Sequence, residues 1–303
     1  MSSSLDNRSA TKIEAYLSDR ASLVDKHLNT LIPQAKGPSK LWESMAYSLQ
    51  AGGKRLRPIL TLAAVESIGG NPDEALDLAC AVECVHTFSL IHDDLPAMDD
   101  DDWRRGKPTN HKVYGEGLAV LAGDALLAHA LTIVLQSPYP QQPTARLAIA
   151  SELAHATGPY GLCAGQALDL QMSNVDLDDA TLQYIHTHKT GALFRAAIRI
   201  GAIAAEATSE QLNALTHYAD HLGLVFQIMD DVLDLTGSES SLGKTPGKDF
   251  RANKATYPAR YGLAESQRLA RDLTNQAIVA IEELGSATES LIAIANYLAH
   301  RQS

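Results

Sequence analysis

The 303-residue chain is 45% hydrophobic but only 5% aromatic, which gives an aliphatic core rich in alanine and leucine and favours helices. Its net charge of −11 argues against nucleic acid as a partner, since phosphate backbones are held chiefly by lysine and arginine. Cys80, Cys84 and Cys163 form no CxxC pair, MSSSLDNRSATK offers no signal-peptide core, and no uninterrupted apolar run nears the roughly 18 to 20 residues that cross a bilayer, so the sequence reads as a soluble cytoplasmic protein without a membrane span.

Helix signals recur along the chain. At Asn71-Pro72-Asp73-Glu74 a good N-cap residue is followed by proline at the first helical position and then by acid, so a helix starts there and runs to about His92. Its body, ALDLACAVECVHTFSLI, is apolar on nearly every face, the mark of a helix buried all round. Further stretches with aliphatics at helical spacing follow: GLAVLAGDALLAHALTIVLQ, ARLAIASELAHA and ATLQYIHTHKTGALFRAAIRIGAIAA. The short SPYPQQPT at 137–144 is a loop between helices, not a domain linker. Thr208 and Gln211 have capping-box spacing and open a helix through LNALTHYADHLGLVFQIMDDVLDL, ending before the loop at 237–243. No β-branched run alternates with polar residues, and one all-α domain over residues 1–303 is expected.

Two acidic motifs interrupt this pattern. SLIHDDLPAMDDDDWRRGKPT, from Ser89 to Thr109, packs six aspartates into ten positions and then two arginines. Charges this dense repel unless a cation lies between them. Pro96 cannot continue a regular helix, so Asp99 curls back over the helix end towards Asp93. In the second motif Asp230 and Asp234 stand at i, i+4 with Gln227 a turn earlier, so Gln227, Asp230, Asp231 and Asp234 share one polar stripe on an otherwise apolar helix.

Carboxylates without histidine or thiolate suit a hard cation such as Mg²⁺, which is typically completed by substrate phosphates and water. Basic residues follow both motifs: Arg104 and Arg105 after the first, Lys244 and Lys248 after the second. The blander alternative is a solvated acidic loop and an ordinary charged helix face. Two such motifs, each trailed by bases, weigh against it. His86 precedes Asp93 by seven residues and faces the same way, about 10 Å lower on the helix.

These residues resemble the trans-isoprenyl diphosphate synthases, with DDLPAMD as the first aspartate-rich motif and DDVLD as the second, and within that family they are most similar to the bacterial farnesyl diphosphate synthases. The likeness extends from AGGKRLRP at 51–58 through HKTGALF at 188–194 to KATYP at 254–258. It implies an all-helical fold around a deep central cavity, three Mg²⁺ ions with bound diphosphate, and a homodimer. Residue by residue, it implies that Asp93, Asp99 and Asp230 are the principal metal ligands, supported by Asp94, Asp231 and Asp234. Arg104, Lys189 and Lys244 match groups that hold the allylic diphosphate; Lys54, Arg57, His86 and Arg105 match the isopentenyl diphosphate site.

The implied reaction condenses isopentenyl diphosphate with dimethylallyl and then geranyl diphosphate. The allylic C–O bond ionises, the isopentenyl double bond attacks the cation, and a proton leaves to the released diphosphate. Lys189, Thr190 and Gln227 would lie near the reacting carbons. Phe88, five residues before Asp93, resembles the floor that limits product length in short-chain members and implies a C15 product. Geranylgeranyl or geranyl diphosphate synthases are the alternatives, with a class I terpene cyclase and a catalytically silent subunit further off. Two alternatives stand for Asp100, Asp101 and Asp102: they tune the metal site, or they are solvated.

Overall fold

The computed structural model describes residues 2–32, 39–172, 177–236 and 256–301, with the backbone alone for 2–10. In chain order its helices are α1 (Ser2–Leu31), α2 (Ser39–Leu49), α3 (Leu56–Ser67), α4 (Leu76–Asp93), α5 (Asn110–Tyr114), α6 (Glu116–Gln136), α7 (Pro143–Thr157), α8 (Leu162–Gln171), α9 (Asp179–Ile185), α10 (Ala192–Ala204), α11 (Ser209–Thr236), α12 (Tyr257–Tyr261), α13 (Leu263–Ile281) and α14 (Glu289–His300). The fold is all-α. Cys80, Cys84 and Cys163 are free thiols.

The two predicted caps form. Asn71 accepts a hydrogen bond from the Asp73 amide at 3.2 Å, although the first turn, Pro72–Ala75, is a 3₁₀ turn that passes into α4 only at Leu76. At the start of α11 the Gln211 side chain accepts from the Thr208 amide at 2.9 Å while Thr208 Oγ1 accepts from the Gln211 amide at 3.3 Å, a reciprocal capping box. Every residue from Leu78 to Val85 in α4 is buried, as its apolar faces require. The exception in chemistry is Glu83, which receives Arg55 Nη1 at 2.6 Å; both side chains are 1% exposed. Arg55 also donates to Asp25 at 2.7 Å, so the middle basic residue of the KRLR stretch serves the core.

Helix α4 packs on α3 and α6, α3 on α10, and α11 on α13, so α4 and α11, which carry the two acidic motifs, are held by the largest helix contacts of the fold. By length and composition alone, the segments Pro72–Asp93 and Glu116–Gln136 could cross a membrane, contrary to the expectation of no such run. The first is the core helix, with 72% of its apolar window buried in the fold. For the second the figure is 39%, and Val120, Leu121 and Leu135 are exposed.

Two further departures from the expected helices shape the site. The arginine pair after the first motif sits on a hairpin, with β1 (Trp103–Arg104) antiparallel to β2 (Lys107–Pro108). Its turn residues Arg105 and Gly106 both have positive φ, 53° and 74°, which directs Arg105 back towards the chain at Gly52. The predicted helix through HTHKTG is broken by a π-helical turn, His186–Gly191, between α9 and α10. Here α8 presses on the turn at Gly165, where a Cβ would stand 2.1 Å from the Lys189 nitrogen. Turns of this kind concentrate at functional sites, because they re-aim side chains that a regular helix would place elsewhere.

Candidate active site

A cavity of about 460 Å³ opens between these elements. The end of α4 contributes His86, Ser89, Leu90 and Asp93, and the following loop Met98, Asp99 and Asp101. Helix α8 contributes Gln166 and Asp169, the π turn His186, Lys189 and Thr190, and α11 Phe226, Gln227, Asp230 and Asp231. Arg57 and Arg104 complete the charged lining, and Leu177, Leu182 and Ile185 form an apolar wall. Both acidic motifs therefore face one space.

The first motif folds back as Pro96 requires. The Asp99 amide donates to the Asp93 carbonyl at 2.9 Å, and the Asp101 amide to the Asp94 carbonyl at 3.2 Å. Burial pushes the Asp93 carboxyl up to about 6; Lys189 and Arg104 oppose this while the neighbouring carboxylates Asp99 and Asp94 add to it. A cation among these oxygens would relieve both the desolvation and the repulsion. Asp94 takes another role. It is 3% exposed, absent from the cavity lining, and accepts from Arg104 Nε at 2.8 Å and Nη2 at 2.7 Å. Of the other acids, Asp101 lies 3.9 Å from Arg104, Asp102 pairs with Lys112 at 2.6 Å, and Asp100 is exposed with φ of 49°.

On α11 the predicted polar stripe divides. Gln227, Asp230 and Asp231 line the cavity, whereas Asp234, one turn further on, is buried at 4% exposure away from it. Thr190 Oγ1 donates to Gln227 Oε1 at 2.9 Å, and Gln227 Nε2 donates to Asp231 Oδ1 at 2.9 Å. The amide of Tyr257 holds the other oxygen of Asp231 at 3.0 Å. This relay fixes the orientation of the Gln227 amide. Lys189 pairs with Asp169 at 2.6 Å.

The basic residues crowd one another. Burial first, then Arg57 and Arg105, hold the His86 imidazole well below its ordinary range, so the ring is neutral and accepts from Arg57 Nη1 at 3.4 Å. Burial lowers Arg57 to about 10, opposed by Glu83 and reinforced by Arg105, while its guanidinium lies 4.8 Å from the Phe194 ring centre. Lys54 and Arg105 are likewise depressed, again by burial first, with Arg301 acting on Lys54. Cations that raise each other's energy in this way form a ready site for a polyanion. Arg57 and His86 line the cavity; Lys54 and Arg105 do not.

Phe88 is 6% exposed, packs edge-on against His92 with ring centres 5.2 Å apart, and is not among the residues that line the cavity. Lys244 and Lys248 lie outside the described residues. Four cavity or near-cavity residues have no counterpart in the sequence reading: Gln166, Asp169, His186 and Arg301. Gln166 is 6% exposed with neither amide atom hydrogen-bonded among the described residues, and its i, i+3 spacing from Asp169 in an apolar helix is a signal that could have found both. Arg301 donates to Asp230 at 3.1 Å from just beyond α14 and has no local sequence signature.

Comparison with known proteins adds the family context. Residues 38–291 match the family Polyprenyl synthetase. The chain is 47% identical over 253 residues to a farnesyl diphosphate synthase of Geobacillus stearothermophilus, covering 83% of this chain and 85% of that one. It is 46% identical over 290 residues to a chloroplastic geranylgeranyl pyrophosphate synthase of Capsicum annuum, covering 95% and 78%. Among solved structures, an FPP/GFPP synthase from Zymomonas mobilis superposes with a TM-score of 0.86 at 36% identity over 96% of this chain and 99% of that one. A geranylgeranyl pyrophosphate synthetase from Pyrococcus horikoshii gives 0.87 at 31% identity over 96% and 99%.

Proposed function

We propose that this chain, which belongs to the polyprenyl synthetase family and is a trans-prenyl diphosphate synthase, makes the C15 product farnesyl diphosphate from isopentenyl diphosphate and dimethylallyl or geranyl diphosphate. The observation that carries the chemistry is the meeting of Asp93, Asp99, Asp230 and Asp231 with Arg57, Arg104 and Lys189 around one cavity. Phe88 supports the product length, since a rigid aromatic one residue before the cavity-lining Ser89 opposes further extension.

The donor set fits a hard cation: six carboxylates, Asp93, Asp99, Asp101, Asp169, Asp230 and Asp231, line the space, and burial raises the Asp93 carboxyl. Asp93, Asp99 and Asp230 would hold Mg²⁺, three ions in all with the diphosphate, and bound Mg²⁺ would supply electrostatic stabilisation of the charge that grows on the leaving group. Arg104, kept straight by Asp94, and Lys189, poised on Asp169, would hold oxygens of the allylic diphosphate. Arg57, Arg105, Lys54 and neutral His86 would bind the isopentenyl diphosphate, whose charge offsets their mutual repulsion. The Thr190 hydroxyl and Gln227 amide oxygen would face the cationic carbons between the two diphosphates. Departing diphosphate would take the final proton, so no side-chain base is required.

A geranylgeranyl diphosphate product is the second reading, favoured by the 46% identity to a chloroplastic enzyme of that name. The chain would act as a homodimer through the exposed apolar face of α6 around Leu121. Product analysis decides between the readings. Purified protein is incubated with isopentenyl diphosphate, Mg²⁺ and dimethylallyl or geranyl diphosphate, with an EDTA control. Metal-dependent farnesyl diphosphate is expected; C20 would leave the chemistry standing and overturn the product assignment, and no turnover would overturn both.

A further inference from the structure

Outside the cavity, the two ends of the β1–β2 hairpin close on each other. Asp102 precedes the hairpin, Thr109 follows it, and the Thr109 amide donates to the Asp102 carbonyl at 3.0 Å. At this closure, carboxylate oxygens of Asp100 and Asp102 and a ring nitrogen of His111 lie within 4.8 Å of one another. Two exposed acids in a loop carry no weight alone. His111 does: it is 6% exposed, and its Nε2 is buried with no hydrogen-bond partner among the described residues. A nitrogen taken out of water and left without a partner is destabilising unless something binds it.

The other ring nitrogen settles the tautomer. Thr109 Oγ1 donates its single proton to the Asp101 carbonyl at 2.7 Å, so towards His111 Nδ1, 3.2 Å away, the hydroxyl can only accept. Nδ1 therefore carries the proton and Nε2 the lone pair, the arrangement a metal-binding imidazole needs, with its orienting partner already in place.

We propose that Asp100, Asp102 and His111 form a second divalent-cation site, separate from the carboxylates of the cavity and suited to an ion such as Zn²⁺ that accepts imidazole as well as carboxylate. One nitrogen and two carboxylates leave a fourth position for water. Mg²⁺, which prefers oxygen alone, is the poorer fit. The Lys112 ammonium, 2.6 Å from Asp102 Oδ1, is the present counter-ion; with its side chain 44% exposed, it can give way or keep one oxygen while the other ligates. The ion clips together the ends of the hairpin that presents Arg104 and Arg105, so its occupancy steadies both arginines without touching substrate.

The test uses the full chain with Mg²⁺ in excess and Zn²⁺ alone as the probe, followed by equilibrium dialysis and by ¹⁵N resonances of the histidine side chains, with His111→Gln assigning its signal. Neither readout needs turnover, so the result is independent of the proposed product. Expected is a single tight equivalent that moves the His111 Nε2 resonance, survives in an Asp93→Asn/Asp230→Asn variant, and weakens at least about tenfold in Asp100→Asn. Asp100 is exposed and asparagine tolerates its positive φ, so that variant keeps the fold. Absence of binding at micromolar Zn²⁺, wild-type affinity in Asp100→Asn, or binding that leaves the His111 resonance in place would each overturn the site.

Discussion

Arg301 donates from Nη2 to Asp230 Oδ1 at 3.1 Å while its guanidinium lies 4.3 Å from the centre of the Phe226 ring, so a residue near the chain end neutralises a carboxylate proposed as a metal ligand. The side chain is 3% exposed and held at the Phe226 carbonyl as well. In that position Arg301 competes with a cation for Asp230. Arg301→Gln is therefore expected to lower the Mg²⁺ concentration for half-maximal activity about tenfold, on the order of the 1.5 kcal/mol at the low end for a hydrogen bond to a charged group. A rise in that concentration would mean that Arg301 helps bind diphosphate instead.

The relay from Thr190 through Gln227 to Asp231 predicts a kinetic split. Thr190→Val keeps the side-chain shape and removes the hydroxyl that orients Gln227 Oε1. If that oxygen faces the cation only as it forms, kcat drops about tenfold, the equivalent of roughly 1.4 kcal/mol, while KM for both substrates stays within about twofold. A change confined to KM would place the pair in ground-state binding.

The Arg55–Glu83 pair predicts a stability effect remote from chemistry. Both side chains are 1% exposed, and Glu83→Ala strands a buried guanidinium whose remaining partners are half-exposed Asp25 and the Leu49 carbonyl. A loss of about 3 kcal/mol or more in denaturant unfolding is expected. A loss below about 1 kcal/mol would show that Arg55 relaxes onto Asp25.

Much of the site's frame was legible from local chemistry. Asn71, Thr208 and Gln211 mark helix starts because capping depends on residues a few positions apart, and Pro96 forces the return of Asp99 for the same kind of local reason. Which carboxylate points where was not legible. Asp94 and Asp234 sit at spacings as suitable as those of Asp93 and Asp230, yet Arg104 on an unforeseen hairpin claims the first, and the second falls a turn beyond the wall. The π turn escaped notice because its residues suit a continuous helix; the pressure of α8 at Gly165 decides it. Arg301 and Gln166 become site residues only through packing between distant segments.

Asp93 makes stability depend on pH. A carboxyl raised by folding to about 6 binds its proton more tightly in the native state, so its ionisation costs stability, and the cost is relieved as pH falls through about 6 towards the ordinary carboxylate range near 4. Without metal, Asp93→Asn should thus melt above wild type at pH 7.5 and lose most of that advantage by pH 4. Melting curves in EDTA at the two values test it; an advantage that does not change with pH would show that Asp93 titrates normally.

Phe88 offers the sharpest test of product length. Its ring stands edge-on to His92, whose Nε2 meets the Val120 carbonyl of α6 at 3.0 Å, so the aromatic pair is braced against the neighbouring helix, one residue before the cavity-lining Ser89. An isoprene unit is about the size of the ring that Phe88→Ala removes, and a cavity opened in a packed layer stays open because its surroundings relax only partly. The variant should lose about 3 kcal/mol of stability and, under excess isopentenyl diphosphate, release C20 alongside or in place of C15. Unfolding midpoints measured on the same preparation separate loss of fold from change of product. A folded, active Phe88→Ala enzyme that still stops at C15 would put the floor of the cavity elsewhere, with Ser89 and Leu90 the next side chains to enlarge or shrink.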